Sequence, residues 1–130
     1  MCVVCVCVRP LLYLSLSPTH ACITLANFAR ARSSSFDGSI RLWDTATGKS
    51  RVTLAQHTAL VYSLSFSSNG DYLVSSGADK LVCVWNVKDG SLVRTFSGPS
   101  ACYDAGFSPD NEKVAACFSS GAVALIDLKL

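Results

Sequence analysis

The sequence predicts an all-β fold assembled from copies of one antiparallel unit. A segment returns at a fixed period: Ser39-Ile-Arg-Leu-Trp-Asp44 comes back as Leu81-Val-Cys-Val-Trp-Asn86 and, more faintly, as Ala122-Val-Ala-Leu-Ile-Asp127. Trp43 and Trp85 lie 42 residues apart, and Ile126 stands in the aromatic's place 41 residues later. From Ser33 onward the chain is a series of short runs with apolar residues at every second position, separated by turn residues, which is the pattern of strands and hairpins. No helical periodicity competes with it after residue 30. Half of the 130 residues are hydrophobic and only 15% are charged, so the composition demands a core. A repeat of this length copies one supersecondary unit whose apolar faces are buried only against its neighbours. The function of such a chain has to come from a shared surface.

Residues 1–29 read differently. Cys2-Val-Val-Cys-Val-Cys-Val8 alternates two residue types and Leu14-Ser-Leu-Ser17 another two, as translated TG and CT dinucleotide runs would. We expect an atypical, irregular leader of non-coding origin that joins genuine repeat near Arg30. Cys2, Cys5, Cys7 and Cys22 or His20 offer metal ligands, but no second pair follows at finger spacing, so no metal site is expected. Arg9-Pro10 breaks the apolar run and no basic segment precedes it. Neither a signal peptide nor a membrane span is expected.

Residues 30–55 form a partial first unit around the strand at Ser39–Asp44, and residues 57–96 a complete one. In the second, Val61-Tyr-Ser-Leu-Ser-Phe66 alternates, and Ser68-Asn-Gly-Asp71 supplies the positive φ of a tight hairpin. Tyr72–Ser76, Leu81–Trp85 and Ser91–Phe96 follow as strands, with turns at 77–80 and 87–90. The last unit, 98–130, has strands at Ala101–Phe107, Lys113–Phe118 and Ala122–Leu128 and stops short of a fourth. Its expected core is Val114, Ala116, Phe118, Val123 and Leu125. Cys83, Cys102 and Cys117 fall in apolar strand patterns and read as small core residues in a reducing compartment. Four antiparallel strands every 41–42 residues make one blade of a β-propeller. Residues 33–130 carry eight Lys/Arg against nine Asp/Glu, so no basic stripe is present and direct nucleic-acid binding is not expected.

The middle unit, with His57, Val61…Phe66-Ser-x-x-Gly70, Tyr72-Leu-Val-Ser75, Asp79 and Trp85-Asn86, resembles the WD-repeat propellers. The resemblance implies a partial WD-repeat β-propeller of about two and a half four-stranded blades. It also implies a structural tetrad of hydrogen-bonded side chains at His57, Ser75, Asp79 and Trp85. Ser33, Asp37 and Trp43 match three of those positions in the first unit. Gly98, Ala116, Ser120 and Ile126 fill the slots of the third without the network. His57, Ser75 and Asp79 are also the components of a nucleophilic triad, but Ser75 lies mid-strand with no glycine elbow or oxyanion loop. No catalysis and no cofactor are expected.

Within that class, the runs Ser35-Phe-Asp37, Ile40-Arg-Leu-Trp-Asp44, Asp79-Lys80, Gly90-Ser-Leu-Val93 and Ile126-Asp-Leu-Lys129 look most like the transducin-beta-like corepressor subunits, F-box-like/WD repeat-containing proteins. This resemblance implies a nuclear scaffold (cytoplasmic as the alternative) whose partners are corepressor and histone deacetylase subunits, with further blades needed to close the ring. It implies a partner face at Phe36, Leu60, Tyr62, Ala78, Lys80, Tyr103 and Ser119. Tyr62 and Tyr103 also alternate in phase with core positions, so packing between blades is the competing reading. The alternatives in function are a generic WD-repeat adaptor for ubiquitin-ligase, RNA-processing or cytoskeletal assemblies, and a gene-model fragment without function.

Overall fold

The computed structural model describes residues 20–26, 30–35, 38–44, 47 and 49–129. These form eleven strands in three antiparallel sheets. The first sheet runs β1 (His20–Ala26), β2 (Arg30–Ser35), β3 (Ser39–Asp44), β4 (Ser50–Ala55) in that order. The second repeats the order with β5 (Val61–Phe66), β6 (Tyr72–Gly77), β7 (Leu81–Asn86) and β8 (Leu92–Ser97). The third has three strands, β9 (Cys102–Phe107), β10 (Lys113–Phe118) and β11 (Val123–Asp127). Each sheet is a run of hairpins, the meander that turn residues between alternating strands dictate. This is an open, partial β-propeller.

The leader departs from expectation. His20–Ala26 lies inside the stretch read as irregular, yet it pairs antiparallel with β2, placing Ile23 opposite Ser33 and Leu25 opposite Ala31. The physical reason is plain in the residues: Ile23 and Leu25 alternate with Cys22 and Thr24, and an alternating run makes a strand whatever its codons. The first sheet therefore has four strands among the described residues, β1 at its edge. The remaining leader residues, 1–19 and 27–29, lie outside the described residues.

Turn chemistry recurs at equivalent positions. Gly70 has φ 76 in the β5–β6 turn, and Asn111, 41 residues on, takes φ 62 in the β9–β10 turn. Asparagine is one of the few side chains that tolerates this left-handed backbone. The two turns touch: Asn111 Oδ1 accepts from the Ser68 backbone N–H at 2.8 Å, and Ser68 Oγ lies 2.7 Å from Asn111 Nδ2. Thus the hairpin ends of neighbouring blades are tied together.

Two apolar layers hold the sheets. Ile40, Leu42 and Leu54 of the first sheet pack on Leu64, Leu73, Cys83 and Trp85 of the second. Val74, Val82 and Val84, on the other face of the second sheet, pack on Cys102, Ala105, Val114, Ala116 and Phe118 of the third. Each sheet thus offers one face backward and one forward, as the strict period-2 pleat requires. The core expected of the last blade needs correction at three positions, one of them Cys117, which is exposed rather than buried. Val114, Ala116 and Phe118 are buried, but Val123 and Leu125 are 73% and 75% exposed. In β11 it is Ala124 and Ile126 that turn toward the second sheet, so Val123 and Leu125 point the opposite way.

Candidate functional site

The middle blade is organised by one buried chain of hydrogen bonds. His57 sits between β4 and β5, where its carbonyl rests against Gly38; a β-carbon there would come within 2.5 Å of the His57 oxygen, and Gly38 has φ 81. The imidazole Nδ1–H donates to Asp79 Oδ2 at 2.9 Å, which leaves Nε2 to accept from the Ser75 hydroxyl at 2.8 Å. Ser75 Oγ in turn accepts from the indole Nε1–H of Trp85 at 2.9 Å. Asp79 also accepts from the backbone N–H groups of Thr58 and Leu81, at 3.0 and 3.1 Å. The carboxylate thereby anchors the His57 loop and the start of β7 in one place. Ser75 is fully buried and Trp85 nearly so. A donor such as the indole N–H is costly to bury unpaired, and each member of this chain satisfies another.

The order Asp79–His57–Ser75 is also that of a nucleophilic triad, but the serine has no access to a substrate. Its oxygen is buried at 0% exposure and already bonds the indole. A nucleophile needs a reacting atom within reach, and here protein occupies that space. Burial also keeps the neighbouring thiol inert: it pushes Cys83 up to about 11, against the lowering effect of the Thr95 hydroxyl. Among the described residues no cluster of His, Cys, Asp and Glu is arranged to hold a metal ion.

The first and third blades treat the same positions differently. Ser33 stands in β2 opposite Arg41, as Ser75 stands in β6 opposite Cys83. Trp43 holds the place of Trp85 but is half-buried. Asp37 lies outside the described residues. In the third blade Gly98 replaces the histidine, and a β-carbon on it would overlap the Phe118 ring. Phe118 itself stands where the middle blade has Gly77, whose own missing β-carbon would lie 3.3 Å from His57 Nδ1. Large and small have traded places: His57 with Gly77 in one blade, Gly98 with Phe118 in the next. A phenyl ring fills the space of the imidazole, and apolar packing replaces the hydrogen-bonded chain. This exchange was visible in the sequence only as a pair of mismatches at the family's positions.

The Asp79 turn shapes one end of the blades. Ala78 N–H donates to the Leu60 carbonyl at 2.8 Å, and in the third blade Ser119 N–H donates to Ala101 in the same way. Leu60 and Ala78 are half-buried beside this contact, while Lys80 and Ser119 are exposed. Lys80 holds φ 69 at the position where the third blade has Gly121 at φ 84. Phe36 lies outside the described residues.

Tyr62 and Tyr103 are brought together. In β5 the register steps from Val61 opposite Gly77 to Ser63 opposite Ser76, so Tyr62 is an unpaired bulge residue. In β9 it steps from Cys102 opposite Phe118 to Asp104 opposite Cys117, leaving Tyr103 in the same position. The bulge releases both tyrosines from the alternation that would place them in the core. They are 39% and 56% exposed, with ring centroids 5.5 Å apart and planes tilted by 59°. The first blade has the same step between His20 and Cys22, which sets Ala21 at this place. Beside the pair, the Ser63 hydroxyl donates to Asp104 Oδ1 at 2.5 Å and fixes one inner strand to the next. Sequence reasoning missed this last contact, whose only signal is that the two residues lie one period apart.

The family model for the WD domain, G-beta repeat, matches residues 48–86 and 90–127. The chain belongs to the WD-repeat family. Residues 48–86 run through β4 to β7 and residues 90–127 through β8 to β11, so each sequence repeat gives its first strand to one sheet and its other three to the next. That offset binds consecutive blades through the backbone itself. Among curated proteins the chain is 36% identical over 98 residues to the WD40 repeat-containing protein HOS15 of Arabidopsis thaliana, covering 75% of this chain and 16% of that protein. It is 37% identical over 92 residues to the human WD repeat and SOCS box-containing protein 1, covering 68% of this chain and 22% of that one. The chain therefore spans less than a quarter of the length of these relatives. The β-propeller domain of Cps50 (Swd1) from Myceliophteria thermophila superposes with a TM-score of 0.83 at 25% identity, over 89% of this chain and 38% of that chain. WD-repeat propellers are typically non-enzymatic scaffolds that bind other proteins.

Proposed function

We propose that this chain is part of a protein-interaction scaffold of a nuclear corepressor assembly, in which deacetylase and corepressor subunits dock on the blade end that carries Tyr62 and Tyr103. The observation that carries the reading is the exposed tyrosine pair, set out of the core by matching bulges in two consecutive blades. Large rings with a polar tip are favoured anchors in protein interfaces because they bury much apolar area with little loss of side-chain freedom. Leu60, Ala78, Lys80 and Ser119 rim the same end. The buried His57–Asp79 contact supports the surface from beneath by fixing the turn that bears Ala78 and Lys80.

The corepressor assignment rests on the runs of residues from Ser35 to Lys129 that resemble the transducin-beta-like subunits. A second reading, an adaptor for a ubiquitin-ligase assembly, draws support from the relatives named for a SOCS box beside their WD repeats. Immobilising the 130-residue chain and passing nuclear extract over it separates the two. Retention of deacetylase and corepressor subunits is the expected result. Retention of ubiquitin-ligase subunits in their place favours the adaptor, and retention of neither sinks the scaffold reading.

A further inference from the structure

The tyrosine end carries a carboxylate whose charge the described residues leave unmatched. Asp104 follows Tyr103 in β9 and Ser63 follows Tyr62 in β5, so the Ser63–Asp104 hydrogen bond runs from one strand to the next alongside the ring pair. That hydroxyl is the one donor the described residues bring to the Asp104 carboxylate, and it engages Oδ1 alone. The two ion pairs among the described residues join His57 to Asp79 and Lys113 to Asp127, so no cation among them meets Asp104. The carboxylate is exposed, and the bond to Ser63 holds its orientation.

Ring faces and carboxylate share one electrostatic sign. The face of an aromatic ring is the negative side of its quadrupole and attracts a cation within about 6 Å of its centroid. Tyr62 and Tyr103 are tilted by 59° with centroids 5.5 Å apart, and both keep ring surface open to solvent. An anion would meet repulsion from all three groups. A purely apolar side chain would desolvate the Asp104 charge without pairing it, which is costly. A planar guanidinium suits both parts at once: it lies against an aromatic face and donates N–H groups to a carboxylate. Lysine offers only a compact, strongly hydrated charge.

We propose that Tyr62, Tyr103 and Asp104 form a seat for one arginine side chain of the docking protein. The seat rests on the partner-face reading above and adds the chemistry of its anchor. Matching bulges in β5 and β9 give it form, because they set both rings outside the core, where a guanidinium can reach them. Lys80 on the rim of the same end works against a run of basic residues, so the seat suits a single arginine.

Short glycine–serine peptides that differ only at one central residue (arginine, lysine or citrulline) are titrated onto the full 130-residue chain, with the tyrosine ring resonances as the readout. The arginine peptide should bind about tenfold more tightly than its uncharged citrulline counterpart, and more tightly than the lysine peptide. Asp104→Asn keeps an acceptor for Ser63 and removes the charge, so it should erase that preference. Tyr103→Phe keeps the ring and should bind as the wild type does, whereas Tyr103→Ala should not. Urea midpoints close to wild type show that each variant is folded. No ring shift with the arginine peptide at millimolar concentration overturns the proposal. So do equal binding of arginine with citrulline or lysine, a preference that survives Asp104→Asn, and binding lost in Tyr103→Phe. Retention of nuclear-extract proteins separates this failure from that of the scaffold reading. Retention that Asp104→Asn leaves undiminished removes the seat alone. A wild-type chain that retains nothing yet prefers the arginine peptide removes the scaffold alone.

Discussion

At the residue scale the middle blade depends on a serine with two duties. Ser75 Oγ accepts from Trp85 and donates to His57, so removing it strands two buried polar groups at once. Ser75→Ala should cost about 3 kcal/mol, since each buried group left unpaired costs about 1 to 3 kcal/mol. Urea unfolding of the two proteins measures it, and a change under 1 kcal/mol would mean the chain of hydrogen bonds is not what holds the blade. These four residues were legible in the sequence, because the spacing of His57, Ser75, Asp79 and Trp85 matches a family pattern and the chemistry of each fits its neighbour. Asp104 was not legible. It looks like any exposed acid until the fold sets it beside Ser63.

At the element scale, the blades show how one architecture tolerates two kinds of interior. The exchange of His57 and Gly77 for Gly98 and Phe118 makes the third blade's packing a matter of shape. Gly98→Ala forces a methyl into the Phe118 ring, and overpacking of this kind costs about 1 to 3 kcal/mol. Phe118→Ala alone should cost about 3 to 5 kcal/mol through the cavity it leaves. In the double variant the alanine methyl has room, so the combined loss should fall short of the sum. Additive losses in a double-mutant cycle would show that the two residues do not compete for the same space. The strands of the second and third blades could be read from alternation and turns. β1 could not, since the dinucleotide-like leader masked the alternation at Cys22–Leu25 within a seven-residue strand, and the bulges at Tyr62 and Tyr103 broke the very alternation used to place them. Val123 and Leu125 were misread for a related reason. Alternation says which residues share a face, and only the neighbouring sheet decides whether that face is covered.

At the scale of the whole molecule, three stacked blades present an end that exposes the tyrosine pair. The buried network beneath it and the cross-blade contacts at Ser63 and Asp104 hold that end in one shape, so a partner meets a surface already organised. The fold follows from repeated spacing, and the partner does not, because the proposed interface lies in a few bulged and turn residues that the repeat leaves free to vary. Binding to the Tyr62–Tyr103 end is the central claim, and the Tyr62→Ala/Tyr103→Ala variant tests it most directly. The ring–ring contact adds about 0.5 to 1.5 kcal/mol beyond the area the rings bury, and both rings are partly exposed and outside the two core clusters, so the variant should keep its fold. Measured by retention of nuclear-extract proteins on the immobilised chain, the variant should lose the partners that the wild-type chain captures while its urea midpoint stays close to wild type. Undiminished capture by a folded variant would contradict the account.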